Sequence, residues 1–283
     1  MNNQWTIRTT LAWCRDYLER HGDENPKLSA EWLLSAATSL TRIELYMDFD
    51  RPLSMAERDT LRATLKRRGR GEPLQYIAGE AAFRHIVVHT AKGVLIPRPE
   101  TEMLVQEVLD WTSGREGLDV LEVGTGTGCI ACSLAKEAKA YVTATDISPE
   151  AIACATKNVS NLGFDELVTV IETDCCDGVE GPFDVLVSNP PYIPTAEIEE
   201  LPREVADFEP RLALDGGEDG LVIFDRLVAE APRLLRENGL FACELHETCL
   251  DEAASRLTEA GFVDVAVVDD LAGRHRIVRG ILK

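Results

Sequence analysis

The residues best suited to chemistry stand where short apolar segments of the sequence end. The segment "LDVLEVG" contains Glu122 and leads into a loop with Gly124, Gly126 and Gly128. Glycine lets such a loop turn sharply and lets its backbone approach a ligand closely. The spacing is Gly-x-Gly-x-Gly, whereas a dinucleotide loop has Gly-x-Gly-x-x-Gly and holds a pyrophosphate. The carboxylate of Glu122 repels a pyrophosphate, so the loop favours a cationic or zwitterionic ligand.

S-adenosylmethionine fits these requirements, because it has a sulfonium, an amino group and no phosphate. Asp146 ends the segment "AYVTATD", about 20 residues after the loop, where an acid can accept hydrogen bonds from both ribose hydroxyls. Asp146 could also cap the helix that "DISPEA" predicts, and a loop aspartate can do both. Asp174 and Cys175 follow the third apolar segment, where they would flank the adenine. The predicted cofactor-binding residues are Glu122, Gly124, Thr125, Gly126, Thr127, Gly128, Asp146, Asp174, Cys175 and Asn189.

A third polar group, Asn189-Pro190-Pro191-Tyr192, ends the apolar run "FDVLV". Two prolines cannot continue a central strand, since neither has an N–H, and they hold the backbone rigid. We expect the Asn189 side-chain carbonyl and the Pro190 backbone carbonyl to accept the two hydrogens of a planar NH₂ group. Tyr192 would stack against that group. These four residues are the predicted catalytic residues, which would hold the nitrogen about 3–3.5 Å from a methyl donor.

The planar NH₂ group could belong to an amide or to an aromatic ring such as adenine. Asn-Pro and Pro-Pro are also ordinary breakers at a strand end. A nucleic-acid adenine methyltransferase would need a basic target-recognition region. Residues 73–283 instead contain 17 Lys and Arg against 38 Asp and Glu. Such an acidic body repels a phosphate backbone, so direct nucleic-acid binding is disfavoured. A protein that binds the cofactor without transferring a methyl group is a further alternative.

The elements that must position these residues alternate between strand and helix from about residue 98. Near-continuous apolar strands separated by helices indicate a parallel sheet covered on both faces. Ligands bind such sheets at the carboxyl ends of the strands, which would bring the three polar groups together. The last two apolar segments, "FVDVAVVDD" and "RIVRGIL", predict strands added antiparallel at one edge. The fold class is α/β, a Rossmann-like methyltransferase sheet with a small all-helical N-terminal domain.

The predicted domains are a helical N-terminal domain over residues 1–72, a β-hairpin linker over 73–97 and the Rossmann-like domain over 98–283. Ser54 and Glu57 form a capping box at the start of one N-terminal helix. Within the linker, we expect strands at Ile86–His89 and Val94–Ile96.

We expect a cytoplasmic monomer that does not enter a membrane, although the sequence itself does not determine the oligomeric state. No apolar run approaches the roughly 20 residues of a membrane span. The N-terminus is charged and broken by polar residues, unlike a signal peptide. The eight cysteines follow no disulfide-framework spacing, which favours reduced thiols. Cys129-x-x-Cys132 has no second pair and no nearby histidine, so it predicts core packing and no metal site.

Several stretches of the sequence resemble the release factor glutamine methyltransferases, the PrmC/HemK family. They are "GEPLQYIAGEAAF", "LIPRPETE", "LEVGTGTGCIA", "VSNPPYI", "DFEPRLALDGGEDGL" and "DLAGRHRIV", in the family's order over most of the chain. The stretch "NPPY" alone is shared with adenine-N6 methyltransferases. The combination of "IPRPETE" with "FEPRLAL" and "GGEDGL" is far more specific.

The resemblance implies transfer of a methyl group from S-adenosylmethionine to the amide N5 of the glutamine in the Gly-Gly-Gln motif of class 1 peptide chain release factors. It implies that the glycine loop and Asp146 bind the cofactor and that residues 189–192 hold the substrate amide. Residues 98–100 would help to shape the entrance, and the helical N-terminal domain would contact the release factor. The family often has a bulky residue in place of Cys175, so we expect weaker packing against the adenine.

Overall fold

The computed structural model describes residues 5–112, 115, 117–270 and 273–283. Leu271 and Ala272, which belong to the terminal motif "DLAGRHRIV", lie outside the described residues. The chain divides into two compact units, Met1–Gly79 with Arg203–Phe208 and Glu80–Pro202 with Glu209–Lys283. The predicted linker over residues 73–97 spans the first of these boundaries.

The first unit is helical. Its helices are α1 (Ile7–Arg20), α2 (Pro26–Thr38), α3 (Arg42–Met47), α4 (Met55–Arg68), α5 (Leu74–Ala78) and, later in the chain, α9 (Arg203–Ala206). The predicted capping box at α4 is confirmed, because Ser54 Oγ accepts the Glu57 N–H and the Glu57 carboxylate accepts the Ser54 N–H. Arg68 donates to Asp23 at 2.7 Å and to Glu204 at 2.8 Å, which ties α4 to the segment containing α9.

The second unit contains a hairpin, a sheet and the helices that cover it. Its strands are β1 (Glu80–Phe83), β2 (Ile86–His89), β3 (Asp119–Val123), β4 (Tyr141–Asp146), β5 (Val168–Glu172), β6 (Phe183–Ser188), β7 (Leu235–Glu244), β8 (Phe262–Asp269) and β9 (His275–Leu282). Its α-helices are α6 (Thr101–Thr112), α7 (Cys129–Ala138), α8 (Pro149–Leu162), α10 (Val222–Leu234) and α11 (Leu250–Glu259). Short 3₁₀ helices occupy Thr195–Glu200 and Arg211–Ala213.

Within the described residues, seven strands form one sheet in the order β5-β4-β3-β6-β7-β9-β8. Strands β3 to β7 run parallel, and β9 and β8 pair antiparallel at one edge. The predicted parallel sheet and its antiparallel addition are therefore confirmed. The strand order reverses at β3, which has β4 on one side and β6 on the other. This reversal is where parallel α/β sheets bind ligands.

Apolar side chains cover both faces of the sheet, as near-continuous apolar strands require. On β3, Val120 packs with α6, α7 and the hairpin, whereas the adjacent Leu121 packs with α10 and α11 on the opposite face. The strand ends between these layers are therefore held on two sides. No helix in the described part of the chain combines the length and apolar character needed to cross a membrane.

The strand expected at Val94–Ile96 is wrong. The hairpin partner of β2 is β1, which the sequence pattern missed, with Glu80 opposite His89 and Phe83 opposite Ile86. Val94 and Ile96 are buried, but they lie in an irregular segment. The Ile96 N–H donates to the Glu209 carboxylate at 3.3 Å instead of to a neighbouring strand. Burial of the segment, rather than strand pairing, accounts for its apolar pattern.

Candidate active site

The carboxyl ends of β3, β4 and β6 open onto a cavity of about 580 Å³ in the second unit. Most predicted site residues line it: Gly124, Thr125, Gly126, Thr127, Asp146, Asp174, Cys175, Asn189 and Pro191. The remaining predicted residues, which lie behind or beside the lining, are Glu122, Gly128, Pro190 and Tyr192.

The glycine loop is fastened to the end of β4 by backbone hydrogen bonds. The N–H groups of Gly124 and Thr125 both donate to the Thr145 carbonyl at 2.9 Å. The Gly126 N–H donates to Asp146 Oδ2, also at 2.9 Å. Gly124 and Gly126 have φ values of +77° and +55°, a conformation that side chains disfavour. The sequence therefore produces a tight loop whose backbone forms the cavity wall.

Gly128 serves the packing behind the loop. It precedes α7 with φ +77°, and an added Cβ would lie 3.3 Å from both Cα and Cβ of Ala155 on α8. The absence of a side chain thus lets α7 and α8 approach each other closely. Asn158 on α8 also donates to the Thr127 carbonyl at 2.8 Å, which holds the loop against this helix.

Glu122 lies fully buried beneath the loop. Its Oε2 accepts hydrogen bonds from the Thr125 hydroxyl at 2.9 Å and from the Ala131 N–H at 3.1 Å. Its Oε1 has no hydrogen-bond partner among the described residues. Burial raises the pKa of Glu122 to about 8, although both hydrogen bonds oppose the rise. A cation bound in the cavity would stabilise the charged form, so this buried carboxyl fits a sulfonium cofactor.

Asp146 presents its carboxylate at the end of β4. Its Oδ2 holds Gly126, and its Oδ1 accepts the Ser148 N–H at 2.9 Å. Ser148, rather than Asp146, is the N-cap of α8, because its Oγ accepts the Ala151 N–H. Burial raises the pKa of Asp146, against hydrogen bonds from three backbone N–H groups. The carboxylate lines the cavity and can accept further hydrogen bonds from a ligand.

The charges on the cavity lining suit a cation better than a polyphosphate. Arg98 forms an ion pair with the buried Glu209, and Arg226 donates to Asp174 at 2.8 Å. Both arginines are thereby neutralised by their own partners. Asp146 adds a carboxylate to the lining without an arginine or lysine partner among the described residues. The Arg98–Glu209 pair also joins two motifs, "IPRPETE" and "FEPRLAL", that lie far apart in the sequence.

Four cysteines in or near the site are buried: Cys129, Cys132, Cys175 and Cys176. Cys175 lines the cavity, and its Sγ lies 3.7 Å from that of Cys176. Cys129 and Cys132 lie in α7 within the hydrophobic core, and Cys129 also lines the cavity. This placement agrees with core packing for the Cys-x-x-Cys pair.

The Asn189–Tyr192 corner begins directly after β6. The Ser188 hydroxyl donates to the Val123 carbonyl at 2.7 Å and ties the end of β6 to the end of β3. Asn189 Nδ2 donates to the hydroxyl of Thr101, the first residue of α6, at 3.0 Å. Asn189 faces the large cavity, whereas Tyr192 lines a second cleft of about 340 Å³. The corner therefore contacts two concave surfaces.

Two glycines of the "GGEDGL" stretch enclose the backbone of Tyr192. A Cβ on Gly216 would lie 2.7 Å from Tyr192 Cα, and one on Gly220 would lie 2.4 Å from the Tyr192 carbonyl oxygen. The adjacent Ile193 N–H donates to the Leu214 carbonyl at 2.9 Å. The glycines are needed because the two backbones approach more closely than side chains allow.

Sequence reasoning missed Thr101, Glu209 and Glu244 as residues that support the site. The Tyr192 hydroxyl donates to Glu244 Oε1 at 3.3 Å. Glu244 ends β7, just as Asp146 ends β4. The acid within the apolar segment "LFACELH" could therefore have identified Glu244 as a candidate site residue. Thr101 and Glu209 lie within motifs whose mutual contacts only the fold reveals.

The parallel sheet, its glycine loop after β3 and the corner after β6 define a Rossmann-like methyltransferase. The methyltransferase small domain matches residues 99–203, and the PrmC N-terminal domain matches residues 9–79. A methyltransferase from Pyrococcus furiosus superimposes with a TM-score of 0.54 at 22% identity, over 69% of this chain and 87% of that one. The Thermus thermophilus 16S rRNA N2 G1207 methyltransferase gives a TM-score of 0.54 at 17% identity, over 72% of this chain and 50% of that one.

Full-length relatives define the family more closely. A release factor glutamine methyltransferase of Geobacter sulfurreducens is 42% identical over 98% of this chain and 96% of its own length. Proteins of the same name from Rhodopirellula baltica and Chlorobaculum tepidum are 40% and 42% identical, over 97% of this chain and 95% and 94% of their own lengths. The chain belongs to the release factor glutamine methyltransferase family, as the sequence motifs predicted.

Proposed function

We propose that this protein transfers a methyl group from S-adenosylmethionine to the side-chain amide N5 of the glutamine in the Gly-Gly-Gln motif of class 1 peptide chain release factors. The observation that carries the proposal is the corner after β6, where Asn189 faces the large cavity and Tyr192 lines the second cleft. Because release factors act in translation, we place the reaction in the cytoplasm.

The large cavity would hold the cofactor. The glycine loop would approach it closely, Asp146 would accept hydrogen bonds from the ribose, and Asp174 and Cys175 would flank the adenine. The buried, incompletely paired Glu122 supports a cationic ligand. When bound, S-adenosylmethionine supplies an electrophilic methyl group on a positively charged sulfur.

The corner would hold the substrate amide in a reactive orientation. Asn189 Nδ2 is engaged by Thr101, which leaves Oδ1 to accept one amide hydrogen. The backbone carbonyl of Pro190 would accept the other, from a backbone that two prolines hold rigid. These contacts orient the delocalised nitrogen lone pair toward the methyl group. The nitrogen gains the methyl and loses one proton to water, and no dedicated base is needed because the proton becomes acidic only after transfer.

The experiment is methyl transfer from tritiated S-adenosylmethionine to a purified class 1 release factor, followed by mass spectrometry of its peptides. We expect one methyl group on the glutamine of the Gly-Gly-Gln motif. A release factor with asparagine at that position is the matched control, because its amide is one methylene shorter. Methylated adenine in nucleic-acid substrates would support the adenine-N6 alternative. Cofactor binding without transfer to any of these substrates would support a binding-only role.

The corner's role predicts the behaviour of Asn189→Ala. We expect cofactor affinity within a few-fold of the wild type and turnover lower by about 10² or more, since the lost contact orients the transition state. The control is Asn161→Ala, at an exposed position on α8. Calorimetry measures the affinity, and the tritium assay measures turnover. Wild-type turnover in Asn189→Ala would show that the corner is wrongly assigned.

A further inference from the structure

Glu244 is a buried acid beside the corner that the proposed function leaves unused. It is 1% exposed, and its Oε1 accepts the Tyr192 hydroxyl at 3.3 Å. Its Oε2 has no hydrogen-bond partner within the described part of the chain. A buried polar atom without a partner is uncommon in folded proteins and calls for an explanation.

The surroundings of Glu244 connect it to both ends of the corner. It ends β7, which pairs with β6, so it lies beside the residues that follow β6. The Thr101 hydroxyl lies near its carboxyl and favours the charged form, although the hydrogen bonds of the described residues include none between the two. Thr101 Oγ1 in turn accepts a hydrogen bond from Asn189 Nδ2 at 3.0 Å. The Glu244 carboxyl thus accepts a hydrogen bond from Tyr192 and lies near Thr101, the residue to which Asn189 donates.

The direction of these hydrogen bonds matters for Asn189. An ionised carboxylate only accepts hydrogen bonds, so a Thr101 hydroxyl that turns toward it can only donate to it, and it then offers its lone pair to Asn189. Asn189 then places its NH₂ toward Thr101 and its Oδ1 toward the substrate. If the group at position 244 could donate, Thr101 could donate to Asn189 Oδ1 instead. The Asn189 amide would then present the wrong atom to an incoming NH₂ group.

We propose that Glu244 and Thr101 are positioning residues that fix the orientation of the Asn189 amide and the Tyr192 hydroxyl during methyl transfer. Glu244 lies behind the large cavity and the second cleft, whereas Thr101 lines the large cavity beside Asn189. The inference rests on the proposed function, because it assumes that Asn189 accepts a hydrogen bond from the substrate amide.

The charged groups around Glu244 set the pH at which it loses its proton. Burial raises its pKa to about 7, and the negative charge of Glu100 adds to this effect. Arg276 on β9 opposes the rise, as do the hydroxyls of Thr101 and Tyr192. The proposed orientation of the Asn189 amide therefore requires a pH above the pKa of Glu244, where the Glu244 carboxylate is ionised.

The first test compares two buried threonines at opposite ends of α6. Thr101→Val removes the hydroxyl that Asn189 contacts, whereas Thr112→Val removes one whose hydrogen bond within the described residues goes to the Leu109 carbonyl. We expect about a tenfold loss of kcat in Thr101→Val with an unchanged KM for the cofactor, and wild-type kinetics in Thr112→Val. Thr101→Ser should recover most of the rate, because it restores the hydroxyl. Adding Thr101→Val to Asn189→Ala should cause no further loss, since Thr101 acts through Asn189.

The second test uses Glu244→Gln, which keeps the shape but can donate a hydrogen bond. The kcat of the wild type should fall below about pH 7, whereas that of Glu244→Gln should be low and flat between about pH 6 and 8. If Thr101→Val fails to fold, the pH profile of Glu244→Gln alone tests whether Glu244 orients the Asn189 amide. Full turnover in Thr101→Val, or an unchanged profile in Glu244→Gln, would overturn the inference if Asn189→Ala is slow. Full turnover in Asn189→Ala would instead overturn the proposed function.

Discussion

Replacing Gly220 with alanine should slow methyl transfer without touching the cofactor site. Gly220 has φ +76°, and the new Cβ would lie 2.4 Å from the Tyr192 carbonyl oxygen. It would also lie 3.3 Å from Cys249 Sγ. Ordinary van der Waals contact begins near 3.4 Å, so the two backbones must separate by about 1 Å. Tyr192 belongs to the corner, which therefore has to move.

The expected loss follows from that displacement. A misplacement of about 1 Å in a reacting group can cost about 10² in rate, so we expect turnover to fall by roughly that factor. Gly220 does not line the large cavity, so the affinity for S-adenosylmethionine should stay within a few-fold. Alanine in this left-handed conformation also costs about 1–2 kcal/mol of stability.

The matched control is Gly163→Ala. Gly163 has nearly the same φ, +75°, but its added Cβ would meet nothing within 4 Å. It therefore carries the same backbone strain without the contact to Tyr192. Steady-state methyl transfer measures the rates, and calorimetry measures the cofactor affinities. Equal turnover in the two variants would refute the claim that close packing behind Tyr192 positions the corner.

Two further predictions concern the glycine loop. Gly128→Ala should destabilise the protein by about 2–4 kcal/mol, because of its left-handed φ and its 3.3 Å contacts with Ala155. Urea unfolding measures this loss, and a variant as stable as the wild type would contradict the prediction. The folded state keeps a proton on Glu122 up to its pKa of about 8, whereas the unfolded chain releases it near 4.5. The unfolding free energy of the wild type relative to Glu122→Gln should therefore fall by about 1.4 kcal/mol per pH unit between about pH 5 and 8. If the unfolding free energies of the wild type and Glu122→Gln, measured in urea, depended on pH in the same way, Glu122 would stay ionised in the folded state.

The sequence predicts the sheet well because its strands are apolar on both faces and separated by helices. It predicts a glycine loop at the carboxyl edge of the sheet for a related reason, since glycines and acids at strand ends mark that edge. The prediction of a strand at Val94–Ile96 fails because an apolar segment that is buried without a strand partner has the same sequence pattern as a paired strand. The hydrogen bonds of its N–H groups distinguish the two cases, since Val94 donates to the Ala91 carbonyl and Ile96 to the Glu209 carboxylate.

The support of the corner could not be predicted, because it consists of contacts between distant parts of the chain. Asn189 and Thr101 are 88 residues apart, and Tyr192 and Glu244 are 52 apart. Each residue has another plausible role in its own segment, Thr101 as a helix start and Glu244 as an acid near a strand end. The pairing of β7 with β6 brings Glu244 beside the corner, and the start of α6 brings Thr101 to Asn189.

The central claim is that Asn189 and Pro190 hold the substrate amide against the cofactor's methyl group. A crystal structure with S-adenosylhomocysteine and a release factor bound would test it most directly, through the distances from the glutamine nitrogen to Asn189 Oδ1 and the Pro190 carbonyl oxygen. We expect both to be about 3 Å, with the nitrogen pointing toward the cofactor sulfur. A glutamine nitrogen bound elsewhere, or a corner turned away from the sulfur, would contradict the account.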